Sequence, residues 1–154
     1  MAQILVIRVR GTVNMYHDVA ASLERLGLLQ RYAATIVPST RDYIGLLRKA
    51  AAFVAWCEVD ANVIASVLKA RGELVGAKRI DAEWLKARGF KDVDELAAKI
   101  ADGSVDLRKL EGLKPFFRLH PPLKGFKRST IKHYGAGGML AENPELPGLL
   151  ERMI

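Results

Sequence analysis

Three apolar runs rich in β-branched residues stand within the first 59 positions: "ILVIRV" at 4–9, "RYAATIVP" at 31–38 and "FVAWCEV" at 53–59. Each has the length and composition of a buried strand. Between them the apolar residues recur at helical spacing instead. Asn14 stands where an N-cap belongs, before Val19, Leu23 and Leu26 on one face, and Gly27 follows as a stop. Ser39 or Thr40 is the next cap candidate, ahead of a stripe of Tyr43, Ile44, Leu47 and Ala51. This alternation predicts an α+β fold with a β-α-β-α-β order, a two-layer core in which a three-stranded sheet carries helices on one face.

From Asp60 the pattern turns helical. Ile64, Val67, Leu68 and Arg71 mark a segment stopped by Gly72, a short helix runs from Asp81 towards Gly89, and another places Val93, Leu96 and Ile100 inward before Gly103. Asp92 with Glu95 reads as a capping box for the last of these. Beyond Leu113 periodicity disappears while Gly and Pro recur, which predicts an extended segment over 114–138 lying on something else. "PELPGLLERMI" reads as a closing helix with Leu149, Leu150 and Met153 turned to the body. The expected parts are a core at 1–59, a helical extension at 60–113, and an extended basic segment with a closing helix at 114–154.

Charge is unevenly spread. Residues 1–107 hold 15 basic and 13 acidic side chains, whereas residues 108–154 hold 9 and 4. Between Lys114 and Tyr134 there are six cations and no acid. A solvated face mixes its signs, so a stretch of one sign calls for an anionic partner. The phosphate donors it offers are Arg118, Lys124, Lys127, Arg128 and Lys132, interleaved with Phe116, Phe117, Phe126 and Tyr134. Pro121 and Pro122 stiffen the segment and hold His120 extended, lowering the entropy lost when it is ordered on a partner. Arg8 and Arg10 leave the first strand on the same side and join the candidates.

Other chemistry finds less support. The single Cys57 alternates with Phe53 and Ala55 on an apolar strand, which reads as a core thiol and suits a reducing cytoplasm. His17, His120 and His133 lack the paired spacing of a metal site, so contact with RNA or solvent is the expectation for them. "GAGG" at 135–138 matches neither a P-loop nor a dinucleotide fingerprint. No segment approaches the length of a membrane span, and no cofactor is expected. The competing reading is a cytoplasmic enzyme or regulator that grips a phosphorylated small ligand through Arg118, Lys124 and "GAGG".

"VRGTVNM" after the first strand, the β-α-β-α-β start ending in "FVAWCEV", and "FRLHPPLKGFK" followed by "KHYGAGG" resemble the archaeal form of the large ribosomal subunit protein L thirty family, akin to eukaryotic L seven. The resemblance covers nearly the whole chain. It implies a non-enzymatic monomer within the ribosome that binds large-subunit ribosomal RNA beside neighbouring ribosomal proteins, with no membrane and no small-molecule substrate. The contacts it implies are Arg10, Gly11 and Asn14 in the first loop, and Arg118, His120, Pro121 and Pro122 later. The chain departs from the family after the prolines, where an arginine and two glycines are frequent and this chain reads Leu123, Lys124, Gly125 and Phe126. It departs again at Ile44, where a basic residue is usual, and at Ala136, where an acid is common.

Overall fold

The computed structural model describes residues 2–154. The three apolar runs form β1 (Gln3–Arg8), β2 (Ala33–Pro38) and β3 (Val54–Val59), alternating with α1 (His17–Arg25) and α2 (Arg41–Lys49). β1 lies between the other two and is antiparallel to both, with Leu5 opposite Ile36 on one side and Cys57 on the other. β2 and β3 therefore run parallel with β1 between them, and α2 makes the crossover that a parallel pair requires.

Strand alternation divides the side chains between two faces. Ile4 and Val6 join Val37 and Val54 against Leu23, Leu26 and Leu47, which belong to or follow the two helices. Leu5 and Ile7 join Ala34, Ile36, Ala55 and Cys57 on the opposite face, and this face is covered too. Its cover is α3 (Ala61–Arg71), α4 (Ala82–Ala87), α5 (Val93–Ala101) and a closing helix α6 (Leu146–Glu151). The expected helices on one face are thus half the arrangement. Side chains from 60–113 and from 114–154 share one cluster with the strands, including Leu96, Ile100, Phe117, Leu140 and Leu150.

The sheet has six strands rather than three. β4 (Phe117–Arg118), β5 (Ser129–His133) and β6 (Gly138–Glu142) give the order β4-β2-β1-β3-β6-β5. The segment read as extended and lying on something else thus lies partly on its own sheet. Phe117, fully buried, anchors β4 beside Ala34. Met139 and Leu140, both buried, anchor β6, which pairs parallel to β3 through Ala55 and Ala141. β5 then lies along β6, where Gly138 packs so tightly on the Lys132 carbonyl that a Cβ would have no room.

Three expected caps are corrected, the first being Thr40, which takes the N-cap place of α2 but makes no cap hydrogen bond with its side chain. Asn14 does not begin α1: the helix starts at His17 with Tyr16 as its N-cap, and Asn14 sits at φ 57° in the preceding loop. Asn is among the few residues that tolerate the left-handed region, and here the turn prevails over the cap. In α5 the Asp92 side chain makes no cap hydrogen bond, whereas Glu95 accepts from the Lys91 backbone N–H at 2.9 Å. That bond holds the Glu95 carboxyl below its ordinary pKa, with help from Lys99.

Candidate nucleic-acid interface

Pairing brings one end of the sheet together. Arg8 at the end of β1 faces Val54 at the start of β3, Ile7 faces Ala34 near the start of β2, and Ala33 faces Arg118 at the end of β4. The loops at this end therefore include 9–16, 26–32, the 50–53 turn and the crossing segment 119–128, which leaves β4 and reaches β5 at the opposite edge.

The arginines of β1 part company here. Arg8 is 2% exposed. Its Nη1 donates to the carbonyls of Leu28 at 2.7 Å and Leu29 at 2.8 Å, and its Nε donates to the Arg10 carbonyl at 3.0 Å. Burial lowers its pKa. Arg8 is therefore a staple between two loops and stands behind the surface, which corrects its place among the RNA contacts. A forked side chain suits this task because one planar group serves several carbonyls. Arg10 is half-buried, lying 5.0 Å over the Phe53 ring with Nη1 on the Ala52 carbonyl at 3.2 Å. Gly11 is half-buried and Asn14 exposed on the same loop, and His17 is exposed at the start of α1.

The crossing segment is braced along its length. Leu119 donates its N–H to Tyr32, His120 to Met153 and Leu123 to Arg152. The Arg152 side chain donates to the carbonyls of Leu123 at 3.3 Å and Gly125 at 2.9 Å. Pro122 is buried and Pro121 exposed, while Phe126 stacks on Tyr32 with ring centroids 6.2 Å apart. His120 is half-buried, and its Nε2 contacts the main-chain oxygen of Ile154 at 2.7 Å. That geometry makes it a brace for the chain end.

The cations on this frame differ in freedom. Arg128 pairs with Glu145 at 2.9 Å and lies over the Tyr134 ring. Arg118, Lys124, Lys127 and Lys132 are exposed, and among the described residues none forms a salt bridge. Lys124 sits at φ 63°, a conformation that costs about 1–2 kcal/mol for a residue with a Cβ. His133 is exposed beside Lys132 on β5. Arg31 was not among the sequence candidates, yet it is exposed at this end, with Nε on the Val9 carbonyl at 2.9 Å and its guanidinium over Tyr32. Its position just ahead of a strand was the signal available. Lys114 lies apart, bound to Glu73 at 2.9 Å, and that bond, aided by the field of Arg118, lowers the Glu73 pKa.

The small-ligand grip does not assemble. Arg118 belongs to β4 and "GAGG" leads into β6, with β2, β1 and β3 between them. At about 4.8 Å per strand spacing, roughly 19 Å separates the two. Cys57 is buried, and burial, with Glu58 beside it, pushes its thiol up to about 11, far from an activated nucleophile. Among the described residues no group of His, Cys, Asp or Glu is arranged to hold a metal, and no helix is long and apolar enough to cross a membrane.

The family described as Ribosomal protein L30p/L7e matches residues 4–54, the stretch from β1 into β3. A relative from Ignicoccus hospitalis, named large ribosomal subunit protein uL30, is 45% identical over 136 residues, covering 87% of this chain and 86% of its own. The chain belongs to the L30p/L7e family. Proteins of the same name from Nanoarchaeum equitans and Nitrosopumilus maritimus are 37% and 35% identical, over 94% and 98% of this chain and 94% and 97% of their own. The likeness to uL30 proteins thus extends through the braced crossing segment and β6, well beyond the part that the family match spans.

Proposed function

We propose that this L30-family protein is a structural constituent of the large ribosomal subunit, without catalytic activity, that binds ribosomal RNA through the loop end of its sheet. It works in the cytoplasm, as one copy per ribosome among neighbouring ribosomal proteins. Arg118, Lys124, Lys127 and Lys132 meet phosphates, while Arg128 supports the surface through Glu145 and Tyr134. In this reading residues 1–59 form the core, 60–113 cover its second face, and 114–154 turn towards RNA.

The observation that carries the reading is the pairing of free cations with a fixed frame. The crossing segment is held by β4, by Tyr32 and by residues 152–154, so its lysines are displayed on backbone that needs little further ordering. Such preorganisation leaves more of the phosphate attraction for binding. Neutralised phosphates release condensed counterions, and the slope of log K against log salt is up to about −0.9 per phosphate contacted. Four cations therefore give a slope of roughly −3 to −4 with large-subunit ribosomal RNA fragments. Changing all four to Ala is expected to flatten the slope and weaken every fragment alike. A slope near zero for the parent, or unchanged binding in the fourfold variant, overturns the assignment.

A further inference from the structure

The near-balance of charge in residues 1–107 conceals two unlike halves of the helical extension. Residues 69–91 hold seven cations and three acids, whereas residues 92–106 hold one cation and five acids. The acids of α5 take up part of the excess, Asp94 pairing with Lys69 and Glu95 with Lys99. Lys78, Arg79 and Arg88 form no salt bridge among the described residues.

The fold brings these three to one place. Residues 73–79 turn back on themselves, with Glu73 bridged to Arg79 and the Leu74 N–H donating to the Lys78 carbonyl at 2.7 Å. This hairpin is pinned to the chain ahead of β4, because Val75 donates its N–H to the Gly112 carbonyl at 2.8 Å and Lys114 donates its own to the Glu73 carbonyl at 3.0 Å. Gly112 in turn lies against α4, where a Cβ would stand 3.2 Å from Trp84 Nε1 and 3.7 Å from Arg88 Nη2. Lys78 and Arg79 are exposed on the hairpin, and Lys109 is exposed three residues before Gly112.

The patch also joins the loop end. Four residues lead from Lys114 to Arg118 of β4, a reach of at most about 14 Å. The acid beside this path, Glu73, is held by Lys114 at 2.9 Å, and that bond, with the fields of Arg118 and Arg79, lowers its pKa. Its charge is thus spent within the patch. An acidic protein segment would meet the same cations, but their continuity with those of the loop end favours the polyanion bound there.

We propose that the RNA surface continues from Arg118 past the β4 edge onto the helical extension, where Lys78, Arg79, Arg88 and Lys109 receive a further stretch of sugar–phosphate backbone. The inference rests on the RNA-binding reading above and adds a second contact surface, on the part of the chain that covers the sheet. Its contacts are to phosphates and not to bases, since the one aromatic of the patch, Trp84, already has the Arg88 guanidinium over its ring at 4.7 Å. Such contacts position the RNA without reading its sequence.

Lysine acetylation footprinting tests this on the free protein, on the protein bound to full-length large-subunit ribosomal RNA stripped of other proteins, and on the intact large subunit. RNA alone is expected to slow acetylation of Lys78 and Lys109 together with Lys124, Lys127 and Lys132. Lys69 and Lys99, paired with the acids of α5, are expected to react as in the free protein. Lys78 and Lys109 are exposed and unpaired among the described residues, so Lys78→Ala with Lys109→Ala is expected to keep the parent thermal unfolding. On the full-length RNA that double variant is expected to show a salt slope shallower by about one to two units. Protection of the loop-end lysines alone, or a slope equal to the parent's in the double variant, overturns this inference and leaves the RNA reading standing. Protection of Lys78 only in the intact subunit assigns the hairpin to a protein neighbour and overturns it too. RNA that protects no lysine defeats the RNA reading itself.

Discussion

Replacing Arg8 by Ala separates a staple from an RNA contact. The change removes three charge-assisted donors from the carbonyls of Arg10, Leu28 and Leu29, of which the bond to Leu28 is buried and the other two are partly buried. A buried carbonyl left without a partner costs about 1–3 kcal/mol. The partly buried pair recover water and cost about 0.5–1 kcal/mol each. Removal of a desolvated guanidinium, whose pKa burial has already lowered, offsets part of this. The balance is a loss of about 2–4 kcal/mol, equivalent to roughly 5–15 °C in Tm for a chain of this size. Thermal unfolding followed by circular dichroism, with urea titration beside it, measures the loss. RNA affinity against salt, taken well below the transition, measures the contact. The slope is expected to match the parent, because no phosphate-facing cation is lost. Arg8→Lys is expected to recover only part of the stability, since an ammonium cannot span both loops as a planar fork does. A variant melting within a degree or two of the parent, with a salt slope shallower by about one unit, would refute the staple and restore Arg8 to the RNA surface.

His120→Ala is expected to cost about 1–2 kcal/mol and to quicken amide exchange at 120–125 and 152–154, because the Ile154 contact and the fit of the crossing segment loosen together; exchange unchanged at both places would refute the brace. Gly138→Ala drives a Cβ into the Lys132 backbone, so β5 is expected to leave the sheet and 129–133 to become the first site of limited proteolysis. Cys57 titrates near 11 in the fold against an ordinary 9.0. The folded state thus favours the neutral thiol, so its contribution to stability is complete below pH 9 and is lost as pH rises from 9 towards 11. Cys57→Ala is expected to flatten that alkaline decline, as read by urea midpoints between pH 8 and about 11.

Local pattern carried the sequence reading a long way in the first 59 residues and less far afterwards. β1, β2 and β3 are continuous apolar runs whose character is written in adjacent residues, and α1, α2, α3 and α5 have inward stripes at helical spacing. β4 is two residues long, and β5, "STIKH", is almost wholly exposed, so neither has a period to detect. Their existence depends on partners far along the chain, Ala33 for Arg118 and Gly138 for Ser129. "GML" in β6 was the one apolar hint. For the candidate site, composition sufficed to find the unbalanced cations, since charge needs no fold to be counted. Composition could not tell Arg8 from Arg118. That difference arises because the 28–29 loop folds over one guanidinium and nothing folds over the other. Asn14 shows the same limit, because a residue suited both to caps and to left-handed turns is assigned only when the neighbouring chain is in place.

The sheet's second face has a consequence for the order in which the protein is made. Leu5, Ile7, Ala34, Ile36, Ala55 and Cys57 are all present once residue 57 has been synthesised, yet their cover comes from α3 to α6 and from Phe117, Met139 and Leu140. At about 5–20 residues per second, the remaining 95 or so positions take roughly 5–20 s to emerge. Until those segments are in place, a sheet made of β1 to β3 alone is expected to present an open apolar face with unpaired outer edges on β2 and β3, the state most prone to joining another copy. A translating cell is expected to hold that face with a chaperone until β6 has docked on β3, and slowing elongation after residue 60 is expected to raise aggregation in proportion.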